Sequence, residues 1–132
     1  TGHGVGYLLN VHERPNGIRY KTVPERMDSC VIEEGMICSD EPGIYIEGSH
    51  GIRTENLIVC RKAEKNAYGQ FMEFEYLTFV PIDLDALDVS LMEEKDVEYL
   101  NEYHRQVYEK ISPYLAEEER LWLREATRRV QK

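Results

Sequence analysis

The sequence predicts an α+β fold, antiparallel β-structure followed by a C-terminal helical hairpin. Three observations predict it. Two strand-like runs, residues 43–46 and 51–57, flank a Glu-Gly-Ser-His-Gly turn, the signature of a hairpin with a longer loop. Residues 70–79 read as an aromatic-rich strand, with Met72, Phe74 and Tyr76 alternating against Phe71, Glu73 and Glu75. Beyond Ser90 the apolar period lengthens to that of a helix, through Val97, Leu100, His104, Val107 and Ile111. Strands first and helices after is the α+β order.

Residues 1–13 place three glycines around His3, with His12 following. The spacing fails the dinucleotide pattern, because Tyr7 stands where the third glycine belongs. Glycines packed around a histidine fit a crowded bend or a backbone that approaches a site closely. Arg14-Pro15-Asn16-Gly17 is a turn signal, and residues 18–27 read as loop. Residues 36–40 form a short strand feeding Glu41, and Pro42 holds Glu41 extended and ends the strand. Residues 57–60 are expected to continue the last hairpin strand, and residues 61–69 to be a charged loop.

The Asp-x-Asp spacing of Asp83, Asp85 and Asp88 reads as an acidic loop before a helix, since no histidine accompanies it. Ser90-Leu91-Met92-Glu93 matches a capping box and sets the expected helix start. His104 sits on the apolar stripe and is expected to pack, not to ligate. Ser112-Pro113 separates the two helices. Glu117, Glu118 and Glu119 fall early in the second, with Arg124, Arg128, Arg129 and Lys132 late, which complements the helix dipole.

Composition bounds the partners. Across 132 residues, 25 acidic against 16 basic side chains give a net charge of −9, which argues against nucleic acid and anionic membranes. No apolar run approaches the roughly 20 residues of a membrane helix. Three cysteines, outside any Cys-x-x-Cys pair, suit a reducing compartment and a cytoplasmic location. Opening on Thr1, the chain reads as a processed or truncated one.

An antiparallel ribbon brings Glu41 and Glu55 near one another, and strand alternation sets Arg53 and Glu55 on one face. Alone, such a pair is more often a solvated surface feature. With His3 and His12 it becomes a mixed imidazole–carboxylate shell of the kind that suits Mn, Co, Fe or Zn. Paired metals about 3.5–4 Å apart need more donors than these. By spacing alone, this is a partial metal site.

Four stretches, taken in series, carry a resemblance: Thr1-Gly2-His3-Gly4-Val5-Gly6, Asn10-Val11-His12-Glu13, Asp40-Glu41-Pro42-Gly43-Ile44-Tyr45 and Gly51-Ile52-Arg53-Thr54-Glu55-Asn56. They resemble the C-terminal half of the aminopeptidase P branch of the M24 metallopeptidases, which have the curved-sheet "pita-bread" fold. From Phe71 onward the chain is similar to the C-terminal extension of the large eukaryotic-type enzymes. The resemblance implies residues 1–69 as catalytic-domain sequence and 70–132 as extension. It implies two divalent metal ions, manganese first and zinc or cobalt as alternatives, with His3, Glu41 and Glu55 as ligands and Glu55 bridging. Glu41 would also handle the proton of the attacking water. His12 would stabilise the intermediate or pass a proton to the leaving nitrogen, and Arg53 would stand beside the metal carboxylates. The implied reaction releases the first residue of a peptide whose second residue is proline.

Two aspartates and a histidine of the family pattern precede the motif where this chain begins, so the resemblance implies an incomplete site and an isolated chain without activity. The stretch between His12 and Glu41 is longer than the family pattern, around residues 24–31. Prolidase is the near alternative, and the aromatic extension argues against it. A non-catalytic interaction module is a second class, with the helical hairpin around Trp122 as a homodimer surface. A metal-free Glu/Glu hydrolase is a third, in which a histidine-rich bend has no role.

Overall fold

The computed structural model describes residues 1–8 and 11–132. The chain divides into two compact units, Thr1–Thr78 and Phe79–Lys132.

Among the described residues the first unit holds seven strands: β1 Gly2–Gly4, β2 Glu13–Ile18, β3 Ile37–Asp40, β4 Gly43–Ile46, β5 His50–Arg53, β6 Asn56–Asn66 and β7 Gly69–Tyr76. Five form a sheet in the order β2-β1-β3-β6-β7, and β4 and β5 form a separate two-stranded ribbon. Every pairing is antiparallel. Cys38, Ile58, Val59 and Cys60 are buried where β3 meets β6. Cys38 and Cys60 thus serve as small apolar thiols, and burial pushes the Cys38 thiol up.

The Arg14–Gly17 turn signal does not become a hairpin turn. It lies within β2, where the register jumps from His3 opposite Gly17 to Gly4 opposite Glu13. The turn-forming residues are spent as a bulge on an edge strand, a position that tolerates proline. Asn16 at that bulge is buried, and its Nδ2 donates to the Ile37 carbonyl at 3.1 Å and to Cys38 Sγ at 2.8 Å.

The expected single hairpin is interrupted. β3 pairs with β6 with Asp40 opposite Asn56, and β4 pairs with β5 with Gly43 opposite Arg53. The same register carries through, but the ladder stops between these pairs and resumes in the other sheet. Residues 57–60 therefore belong to the five-stranded sheet and do not extend the hairpin. Pro42 has no N–H to give, and its carbonyl accepts the Thr54 amide at 3.2 Å. At the ribbon's tip, Gly48 takes a left-handed φ of 71° in the turn between Ile46 and His50.

Residues 61–66, expected as loop, continue β6 as one arm of a hairpin with β7. Cross-strand pairing overrides their charge: Arg61 Nε meets Glu75 Oε2 at 2.9 Å.

The second unit carries α1, Glu94–Ile111, and α2, Glu117–Ala126. α1 starts after the expected Ser90 cap, because Glu93 and Asp96 form the reciprocal box instead. Ser90 sits in a short 3-10 turn and donates its hydroxyl to Asp88. The predicted stripe is buried at Val97, Leu100, His104 and Val107, and Tyr103 joins it. The Tyr103 hydroxyl donates to the Val80 carbonyl at 2.9 Å, and His104 Nε2 accepts the Ile82 amide at 3.0 Å. His104 is the packing histidine expected of it. α2 ends at Ala126, so Arg128, Arg129 and Lys132 lie past the helix. Arg128 still reaches back to the Glu125 carbonyl at 3.1 Å. Among the described residues no helix is long and apolar enough to cross a membrane.

Candidate metal centre

β1 presents His3 from a cramped backbone. A Cβ at Gly2 would stand 2.0 Å from the Ser39 carbonyl oxygen, and one at Gly4 would stand 2.3 Å from Asn16 Oδ1 and the Glu13 carbonyl. Neither position admits a side chain, so the glycines on either side of His3 are required by close packing. The Glu41 amide donates to the Thr1 carbonyl at 2.8 Å, which sets Glu41 beside β1.

His3 Nε2 lies 3.1 Å from Glu41 Oε1. Its other ring nitrogen, Nδ1, lies 2.8 Å from the Gly4 carbonyl, which can only accept. Nδ1 must therefore carry a proton, and in the neutral ring Nε2 offers a bare lone pair. Glu41 Oε1 offers another and already accepts from Ser39 Oγ at 2.8 Å. Two acceptors facing each other are stable only with a positive charge between them or on the imidazole. A histidine whose second N–H is fixed by a backbone carbonyl is also the usual arrangement of a metal-bound imidazole. By donor chemistry, His3 and Glu41 fit a divalent ion.

Ser39 was not singled out by sequence, yet it joins the two candidates. It is wholly buried, its Oγ accepts the His3 amide at 3.0 Å, and it donates to Glu41.

Across the break in the ribbon, Arg53 Nε donates to Glu55 Oε2 at 3.0 Å and stands 4.0 Å from Glu41 Oε2. Arg53 and Glu55 share a face as alternation predicts. The Tyr45 hydrogen bond first, then the Glu55 carboxylate, hold the guanidinium above its ordinary range. Tyr45 is the other residue missed: its ring lies over Gly43 and Gly51, where a Cβ would come within 2.7 and 2.8 Å of it. His12 is exposed, with its ring centroid 4.3 Å from that of His3 at a tilt of 52°. Leu9 and Asn10, the latter opening the Asn10-Val11-His12-Glu13 stretch, lie outside the described residues.

The structure thus gathers His3, His12 and Glu41, with Arg53 linking Glu41 to Glu55. Among the described residues, no three histidine, cysteine or acidic side chains converge closely enough to hold a metal ion. His3 and Glu41 face each other as a pair, and Glu55 is turned to Arg53.

The chain matches two family models: "Metallopeptidase family M24" over residues 1–62 and "C-terminal region of peptidase_M24" over residues 70–130. It is 38% identical over 132 residues to a probable Xaa-Pro aminopeptidase P of Coprinopsis cinerea, covering 96% of this chain and 21% of that protein. It is 46% identical over 118 residues to aminopeptidase P2 of Arabidopsis thaliana, covering 87% of this chain and 16% of that one. Among solved structures, it superposes on an X-prolyl aminopeptidase of Caenorhabditis elegans with a TM-score of 0.82 at 34% identity. That match covers 98% of this chain and 21% of the other, which is described as a cytosolic enzyme with a di-nuclear active site. The chain therefore spans about a fifth of the length of these relatives.

Proposed function

This chain belongs to metallopeptidase family M24, and from that premise we propose that it is the C-terminal part of a dinuclear Xaa-Pro aminopeptidase. The observation that supports this most is the approach of His3 Nε2 to Glu41 Oε1 at 3.1 Å, with His3 Nδ1 held by the Gly4 carbonyl. In the whole protein His3, Glu41 and Glu55 would hold the metal ions, together with donors from outside this chain. Manganese is the ion of first choice, with zinc or cobalt as alternatives. Such ions polarise a carbonyl and make water a nucleophile at neutral pH.

The chain's own residues do the positioning. Ser39 orients Glu41, which takes the proton of the attacking water. Arg53 holds Glu41 and Glu55 at a common edge. His12, exposed beside His3, passes a proton to the leaving nitrogen. A bond to proline has no amide hydrogen, so attack that needs only a polarised carbonyl suits this substrate. Residues 1–69 form the catalytic portion and 70–132 the extension, whose exposed Trp122 supplies a homodimer surface in a cytoplasmic enzyme. The isolated chain, with an incomplete donor set, is inactive.

The test is hydrolysis of Xaa-Pro peptides by the full-length protein that contains this chain. Glu55→Ala is expected to lose more than about 100-fold in turnover, beyond the 10–100-fold that an outer partner of a metal ligand costs. Unchanged turnover removes Glu55 from the site.

A further inference from the structure

We propose that the cavity running from His12 selects peptides that carry a carboxylate on the residue after the proline. The inference rests on the Xaa-Pro reading above and names a preference within it. A cavity of about 380 Å³ in the first unit is lined by His3 and His12 together with Arg14, Arg19, Arg26 and Asp28. That volume is in the range of small-ligand sites.

Asp28 is buried, and its Oδ2 accepts the Nε–H of Arg19 at 2.9 Å and that of Arg26 at 3.2 Å. The Arg19 hydrogen bond outweighs burial and, with Arg26 adding to it, holds the carboxyl below its ordinary range. One oxygen therefore tethers two guanidiniums, among the described residues through Nε alone. Each guanidinium carries five N–H donors in a rigid fork, so the Nη edges of both remain for a second anion. Arg14 is exposed at the same cavity, and among the described residues no carboxylate pairs with it.

Glu13 and Glu25 line the cavity as well, and Glu13 has a partner of its own. Formal charges balance, so a general attraction for anions is not expected. Selectivity comes from placement: paired forks held in position, and an uncommitted Arg14 two positions beyond His12. With His12 serving the leaving nitrogen, the peptide beyond the proline continues into this cavity. A carboxylate there meets bidentate donors, the geometry guanidinium recognises best.

The experiment measures kcat/KM of the full-length protein on Ala-Pro-Asp-amide against Ala-Pro-Asn-amide, and on Ala-Pro-Gly against its amide. The first pair reports a side-chain carboxylate and the second a terminal one. In at least one pair the acid is expected to be preferred about two- to fivefold, the worth of one half-exposed ion pair. Arg14→Glu is expected to bring that ratio to one or below, and Arg19→Gln with Arg26→Gln to lower it. Equal rates within both pairs, or a preference that survives Arg14→Glu, overturn the inference while leaving Xaa-Pro hydrolysis standing. Absence of hydrolysis for all four peptides overturns both.

Discussion

At Ser39 a single hydroxyl accepts the His3 amide and donates to Glu41 Oε1, so one atom fixes both the backbone of one proposed ligand and the side chain of the other. Ser39→Ala is expected to lower kcat of the full-length enzyme about 10–100-fold, the cost of an outer hydrogen bond to a ligating group. Ser39→Thr is expected to keep most of the activity. Equal loss in both variants assigns the effect to packing and not to the hydroxyl. The residues proposed for the site were legible in the sequence because they announce themselves locally: His3 by its glycines, Glu41 by the following proline, Arg53 and Glu55 by alternation. Ser39, Tyr45 and Asn16 were not. Their roles depend on which distant backbone lies opposite them, and that is set by pairing across 36 residues for Ser39 and 22 for Asn16.

The β3–β6 ladder and the β4–β5 ribbon show how an element can be predicted with its ends wrong. Alternation and turn chemistry locate the ribbon, but nothing local says that pairing stops at Pro42 and resumes with Asn56 in another sheet. The same gap in local information explains the bulge in β2, where turn residues serve a strand, and residues 61–66, where charge suggested loop and pairing made strand. α1 was legible through its stripe, which length and period make unambiguous. Its cap was not, since Ser90 and Glu93 both offer acceptable chemistry.

His104 gives α1 a pH dependence. Burial lowers its pKa below the ordinary value of about 6.5, so the unfolded chain takes up a proton first as pH falls. Stability from the neutral ring is complete above that value and declines as pH drops toward the folded pKa. Hydrogen exchange in α1, corrected for intrinsic rates, is expected to show protection falling below about pH 6.5. His104→Gln is expected to flatten that fall. An unaltered fall in the variant assigns it to other groups.

The two units pose different questions for the whole molecule. In the second, Leu123 is buried while its neighbour Trp122 is 64% exposed. Leu123→Ala is expected to destabilise the unit by about 2–5 kcal/mol in chemical denaturation. Trp122→Arg is expected to leave folding within about 0.5 kcal/mol while weakening self-association of the full-length protein. A dimer of unchanged strength in Trp122→Arg excludes that surface. In the first unit the question is the donor set, because among the described residues no three histidine, cysteine or acidic side chains converge closely enough to hold a metal ion.

That question is answered most directly by anomalous diffraction from crystals of the full-length protein grown with manganese. Two peaks about 3.5–4 Å apart are expected, with His3 Nε2 and the carboxylates of Glu41 and Glu55 within about 2–2.3 Å of them. Manganese bound elsewhere, or peaks that none of these three side chains touches, would contradict the account.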